Sequence, residues 1–235
     1  VTPSAAWLYP FRLAHRELRG GLGGLRVFVA CVVLGVAAIA GIGSLAASLA
    51  AGIAGDARAL LGGDVEARLA YRPADPAEHA LLARSGALSE ITQLRAMART
   101  PDGKRQSLIE LKAVDAAYPL YGRVVLSQLQ DLGAALGPRN GVFGALVAPA
   151  ILDRLGVKLG ETIKVGEAAL QVRGTIVREP DAALSGLILG PRVIIAAAAL
   201  PETRLIQPGA LVSYDYRLRL AAGPDAASWI AVARA

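Results

Sequence analysis

"VFVACVVLGVAAIAGIGSLAASLAAGIAG", Val27 to Gly55, contains no charged residue, and Arg26 and Asp56 flank it. As a helix it would be about 43 Å long at ~1.5 Å per residue. A bilayer core needs only about 20 apolar residues. The apolar region of a signal peptide is ~7–15 residues, well short of this run, and a helix buried in a soluble core rarely stays uncharged so long. Residues 27–55 therefore read as a transmembrane helix, tilted or extending past the surface. The run also explains a mean hydropathy of +0.46 in a chain that is 54% hydrophobic but only 5% aromatic.

Charge sets the expected orientation. Arg12, Arg16, Arg19 and Arg26 precede the run against Glu17 alone, and Asp56, Arg58, Asp64 and Glu66 follow it. Positive residues favour the cytoplasmic side, so the N-terminus is expected in the cytoplasm and residues 56–235 outside. That outer part carries 21 basic and 18 acidic residues, well mixed. Such a surface is not a nucleic-acid footprint, and no nucleic-acid partner is expected. The single cysteine, Cys31, lies inside the run. The two histidines, His15 and His79, flank it, so no zinc-type Cys/His cluster exists.

Upstream, "AAWLYPFRLAHRELR" (residues 5–19) places Trp7, Phe11, Ala14 and Leu18 on one helical face and Arg12, Arg16 and Arg19 on the other. This suits a helix lying in the membrane interface, limited by Pro10 to its C-terminal side. Trp7, Phe11, Leu18, Arg19 and Arg26 are the candidate interfacial and coupling residues. Next comes "RGGLGGLR". Gly21 and Gly23 match the start of a G-x-G-x-x-G fingerprint, but Arg26 occupies the third position and a helix precedes it rather than a strand. A Walker loop needs a lysine, and none occurs before Lys104. Each glycine costs a helix about 1 kcal/mol relative to Ala, so a bend between interfacial and transmembrane helices is expected here. Inside the span, Ala40, Ser44, Ser48 and Gly52 recur every four residues. That small-residue stripe suits close packing against another helix.

The outer part reads as mixed α and β. "DVEARLA" (64–70) alternates as a strand, and Asp75 caps a short helix with Pro76 at N1 that stops at Gly86. Strands on either side of "PDGK" (101–104) form a hairpin, and Gly166–Glu167 joins a second. "PLYGRVVLS" (119–127) is a strand candidate. "GALVAPAILDRLGV" (144–157) is expected to be a helix despite Pro149. "GPRVIIAAAAL" (190–200) is expected to pass from strand to short helix, and Leu211–Leu220 to be a strand. A helix begins in "DAASWIAVARA" and its end carries no capping signal, so the domain is expected to continue past Ala235.

Catalytic templates find little. His79 has no nucleophile and acid arranged with it and reads as part of a solvated helix face. Ser185 in "ALSGL" lacks the G-x-S-x-G elbow. Glu179 and Asp181 in "VREPD" read as a turn, and Arg178 and Arg192 as surface charges. No catalytic, cofactor-binding or metal-ligating residue is assigned.

Three stretches carry a family likeness: "LAHRELRGGLGGLRVFVACVVLGVAAIAGIGSL", "GALVAPAILDRLGVKLGETIKVG…VRGTIVREPD" and "GPRVIIAAAAL…GALVSYDYRLRL". With the order of segments, the chain resembles the N-terminal part of the FtsX-like, MacB-type ABC transporter permeases, within them the YbbP-type subgroup. The resemblance implies an α+β architecture: an N-terminal transmembrane helix, then a two-lobed extracytoplasmic domain at 56–235, a porter-like lobe with an inserted β-rich lobe. Leu211–Leu220 would return the chain to the first lobe. It also implies a separate cytoplasmic ATPase that binds the ATP, a second permease unit, the bacterial inner membrane, and a lipid-like or hydrophobic cargo. The residues alone leave open a single-span anchored sensor or scaffold. A membrane-anchored hydrolase is disfavoured by the missing catalytic groups.

Overall fold

Helix α1 runs without interruption from Leu22 to Leu61 in the computed structural model. The structure describes residues 22–128, 131–181, 190–221 and 226–233. The interfacial helix expected at 5–19 lies outside them. Gly23 and Gly24 are already helical, so the expected bend does not fall there; Gly20 and Gly21 are outside the described residues. Arg26–Leu49, with mean hydropathy 2.5, is long and apolar enough to cross a membrane. The helix also continues past Gly55 to Leu61, because Asp56, Arg58 and their neighbours are ordinary helix formers and nothing stops the helix before Gly62.

Residues 56–235 form a separate unit built, among the described residues, on nine strands. In chain order these elements are β1 (Val65–Ala70), α2 (Pro76–Arg84), β2 (Gly86–Arg99), β3 (Gln106–Val114), β4 (Val125–Leu126), α3 (Leu132–Leu136), β5 (Gly144–Val147), α4 (Pro149–Leu155), β6 (Thr162–Val165), β7 (Ala168–Arg178), β8 (Arg192–Ala196), β9 (Val212–Leu220) and α5 (Ala226–Ala233). The order across the sheet is β1-β9-β2-β3-β8-β5-β7-β4.

Two lobes share this sheet. In the first, β9 lies antiparallel between β1 and the first part of β2. Val65, Leu82, Tyr216 and Leu218 form its core, with Trp229 and Ile230 of α5 packed against them. Helix α2 starts where expected: Asp75 accepts from the backbone of Ala77 and Glu78, and the Glu78 carboxylate accepts from the Asp75 backbone N–H. The second lobe is a small barrel. Strand β6 pairs with β7 and, at Ala98↔Val165 and Arg99↔Lys164, with β2. This closes the ring β2-β3-β8-β5-β7-β6. Its interior holds Ile109, Leu111, Val147, Ile163, Leu170, Val193 and Ile195, with Ile151 and Leu155 of α4 joining that core. Strand β2 spans 14 residues and belongs to both lobes.

Both expected hairpins form, and β9 returns the chain to the first lobe. Two expectations fail. Gly144–Val147 is a strand, not the start of a helix, and Pro149 occupies the first turn of α4, where a missing N–H costs nothing. All four strand residues are buried, so no alternation marks them. Of residues 119–127 only Val125–Leu126 pair as a strand. After β8, Ala197–Ala199 form a single 3₁₀ turn.

Candidate functional site

Alternate residues of a strand face the same way. In β1, Val65, Ala67 and Leu69 face the first-lobe core, which leaves Glu66 and Arg68 on the opposite face. Strand β9 repeats this with Asp215 and Arg217, and β3 with Glu110 and Lys112. Strand register sets them side by side: Glu66 opposite Arg217, Arg68 opposite Asp215, Lys112 opposite Gln93, and Glu110 between Arg95 and Arg192. Together they form a ladder of opposite charges across β1, β9, β2, β3 and β8, reaching from one lobe to the other.

The segment after β7 covers its centre. Lys112 Nζ donates to Tyr118 Oη at 2.9 Å, to Asp181 Oδ2 at 2.7 Å and to Glu179 Oε1. Tyr118 Oη donates to Asp181 Oδ1 at 2.8 Å, and Arg217 Nη1 donates to Asp181 Oδ2. Side-chain exposure is 1% for Lys112, 2% for Arg217, 5% for Glu179 and 0% for Asp181. Outward from this centre, Arg68 Nε donates to Asp215 Oδ1 at 2.9 Å and Gln93 Nε2 to Asp215 Oδ2 at 2.5 Å. Arg192 Nη1 reaches Gln93 Oε1 at 3.0 Å, and Arg192 Nε lies 3.4 Å from Glu179 Oε2. Ions buried this deeply persist only when paired and hydrogen-bonded.

Burial pushes the Lys112 ammonium below its ordinary value; Glu179 pulls against that, and Arg217 and Arg192 add to the fall. Burial, with Glu179, pushes the Tyr118 phenol up, so it stays a neutral donor. Each carboxylate at the centre is held by cations and the phenol. This is the chemistry of a clasp between segments far apart in the chain. Among the described residues no group of three His, Cys, Asp or Glu is placed to hold a metal ion.

The ladder meets the chain's entry into the domain. Gly62, with φ +66°, and Gly63 follow α1, and a Cβ on Gly62 would lie 2.7 Å from Arg217 Nη1. A side chain here would need a left-handed backbone and would crowd the Arg217 guanidinium, both of which glycine avoids.

The structure places the sequence-derived candidates unevenly. Trp7, Phe11, Leu18 and Arg19 lie outside the described residues. Arg26, Ala40, Ser44 and Ser48 are exposed along α1; Ser48 Oγ donates to the Ser44 carbonyl at 2.7 Å, and Gly52 lies further along the same helix. His79 is half-exposed, with Nε2 2.7 Å from Glu90 Oε1. Arg178 is exposed as expected. Glu179 and Asp181 are a correction, being buried acceptors at the ladder's centre rather than residues of an open turn. Arg192 is the other correction: it is buried, not a surface charge. Their burial depends on cations that the chain supplies elsewhere. One signal for the ladder was in the sequence: an acid and a base two residues apart in each of "EAR", "ELK" and "DYR".

No family model matches the chain. Over 186 residues, 78% of its length, it is 31% identical to the "Uncharacterized ABC transporter permease YbbP" of Escherichia coli strain K12. The chain spans only 22% of that relative's length. Among solved structures it is similar to the extracellular domain of the noncanonic ABC-type transporter YknZ from Gram-positive bacteria, at 14% identity over 70% of this chain and 91% of that one, with a TM-score of 0.43. It is also similar to the periplasmic region of MacB from Actinobacillus actinomycetemcomitans, at 9% identity over 73% and 82%, with a TM-score of 0.43.

Proposed function

We propose, from the premise that this chain is a relative of the YbbP-type ABC transporter permeases, that it is the first span and the extracytoplasmic domain of an ABC permease subunit. The observation that carries the reading is the 31% identity over 186 residues. A separate cytoplasmic ATPase binds and hydrolyses ATP, and this chain holds no cofactor of its own. Residues 27–55 cross the bacterial inner membrane with the N-terminus in the cytoplasm and 56–235 outside. The permease works beside a second permease unit, and its cargo is lipid-like or hydrophobic, exported or extracted from the membrane.

The coupling is mechanical. Trp7, Phe11, Leu18, Arg19 and Arg26 hold the cytoplasmic end at the membrane interface, and the ATPase moves it. Ala40, Ser44, Ser48 and Gly52 pack the span against a neighbouring helix. The unbroken 40 residues of α1 support this reading: at ~1.5 Å per residue they form a rod of about 60 Å. Within residues 56–235, Gly62, the residue after α1, lies against Arg217 of the charged ladder.

The test uses the full-length permease co-expressed with its ATPase and reconstituted in proteoliposomes. Replacing Trp7, Phe11 and Leu18 together with Ser should leave ATP hydrolysis running while cargo movement stops. Unchanged cargo movement would sink the lever. A chain that binds no ATPase at all would instead fit an anchored sensor.

A further inference from the structure

Strand β2 is paired along one edge with β9 through Gly86–Leu94 and with β6 at Ala98–Arg99. Between them, Arg95–Met97 face neither strand on that edge. A cavity of about 570 Å³ opens at this gap, within the range of roughly 300–1,000 Å³ typical of small-molecule sites.

Its walls differ in character. On one side stand Tyr71 and Leu211, 69% and 71% exposed, with Leu205 beside them. Two large apolar side chains left in water at one rim mark a contact surface more often than a lone one does. Tyr71 also adopts φ +68°, a conformation unfavourable for a bulky residue, and its N–H donates to Val212 O at 2.8 Å. Strain held in place at a cavity mouth points to use of the side chain it orients.

The other side is a row of charges set by strand register: Arg95, Glu110 and Arg192 on β2, β3 and β8. Two guanidinium groups flank one carboxylate. The Arg95 guanidinium is exposed and makes no hydrogen bond or ion pair among the described residues. Arg192 is buried, its Nε and Nη1 engaged by Glu179, Glu110 and Gln93, while Nη2 has no hydrogen-bond partner. The row sets two guanidinium groups against one carboxylate, and both Arg95 and Arg192 Nη2 have donors to spare among the described residues.

We propose that this cavity binds a small amphiphilic anion, a carboxylate or phosphate monoester paired with Arg95 above the Arg192 row, its apolar body lying on Tyr71, Leu205 and Leu211. A planar guanidinium receives an oxyanion with two parallel hydrogen bonds, and the apolar rim recovers the surface it now leaves in water. The site goes beyond the permease reading and does not depend on it, because binding needs neither ATP nor an ATPase.

The experiment titrates octanoate, and separately octyl phosphate, into the full chain in lipid nanodiscs by calorimetry, with empty nanodiscs subtracted. Octan-1-ol and octyltrimethylammonium serve as neutral and cationic comparisons. At least one anion should bind saturably at one site, the tighter of the two identifying the preferred head, and both comparisons should bind at least about tenfold more weakly. Arg95→Gln and Leu211→Asp, both at exposed positions, should each weaken the anion about tenfold or more without moving the melting temperature. The site is overturned if neither anion saturates, if the alcohol or ammonium binds as tightly, or if both variants bind the anion as the unmodified chain does. Any of these leaves the lever experiment untouched, and a failed lever leaves this binding in place.

Discussion

Asp181→Ala removes the carboxylate on which the ladder converges. Asp181 accepts from Lys112, Arg217 and Tyr118. After its loss Lys112 keeps Glu179 and Tyr118, whereas Arg217 keeps only Glu66, at 3.6 Å and beyond hydrogen-bond reach. The cost is therefore dominated by a guanidinium with 2% side-chain exposure and no hydrogen-bonded counter-ion. Breaking a buried ion pair from one side costs about 3–5 kcal/mol. In a domain of this size ~1 kcal/mol moves the melting temperature by about 2–4 °C, so a fall of roughly 6–20 °C is expected. Asp181→Asn keeps an acceptor and should fall less. The assay is thermal unfolding of the full chain in nanodiscs at neutral pH, followed by near-UV circular dichroism and repeated at high salt. Burial shields the cluster, so salt should change the difference little. A loss below about 1 kcal/mol, the range of a solvated surface pair, would refute the account of the ladder as a buried clasp.

Gly62→Ala combines a left-handed backbone, about 1–2 kcal/mol for an L-residue, with a Cβ 2.7 Å from Arg217 Nη1. Gly103→Ala has a similar φ of +70° and open space around it, so equal losses of thermal stability in the two variants would remove Arg217 from the helix end. Ala98→Leu overfills the seam where β2 meets Val165 of β6 and should cost about 1–3 kcal/mol by denaturant unfolding; a neutral result would contradict closure of the barrel. The Glu78 carboxyl is held down to about 2 by the Arg72 guanidinium and the Asp75 backbone N–H. Its contribution to the start of α2 is complete above its ordinary value of 4.5 and is lost as pH falls toward about 2. NMR titration should show that midpoint, and Arg72→Gln should raise it; an unmoved midpoint would assign the depression elsewhere.

Local periodicity made much of the fold readable. An apolar run of 29 residues has one physical use as a helix, and the alternation in Val65–Leu69 and Val212–Leu220 follows from strands that turn one face to an apolar core. Asp75 and Pro76 start α2 through chemistry confined to one turn. Gly144–Val147 carries no such signal, for the converse reason: barrel interior on one side and the Leu136–Ile194 core on the other bury all four residues, so no period distinguishes strand from helix.

The ladder shows where the sequence stops. Its alternating acids and bases place charges on one face of β1, β3 and β9, and that much is determined locally. Whether such a face is wet or buried depends on what lies over it. Glu179 and Asp181 reach Lys112 from 67 and 69 residues away, and Arg217 reaches Asp181 from 36. Only the return of β9 between β1 and β2 and the closure of the barrel bring them together. The sequence by itself determined a long apolar helix, a mixed α/β domain and where most strands begin. The tertiary structure alone decided that a proline turn and three scattered cations form one buried clasp, because desolvation depends on neighbours that chain spacing does not specify.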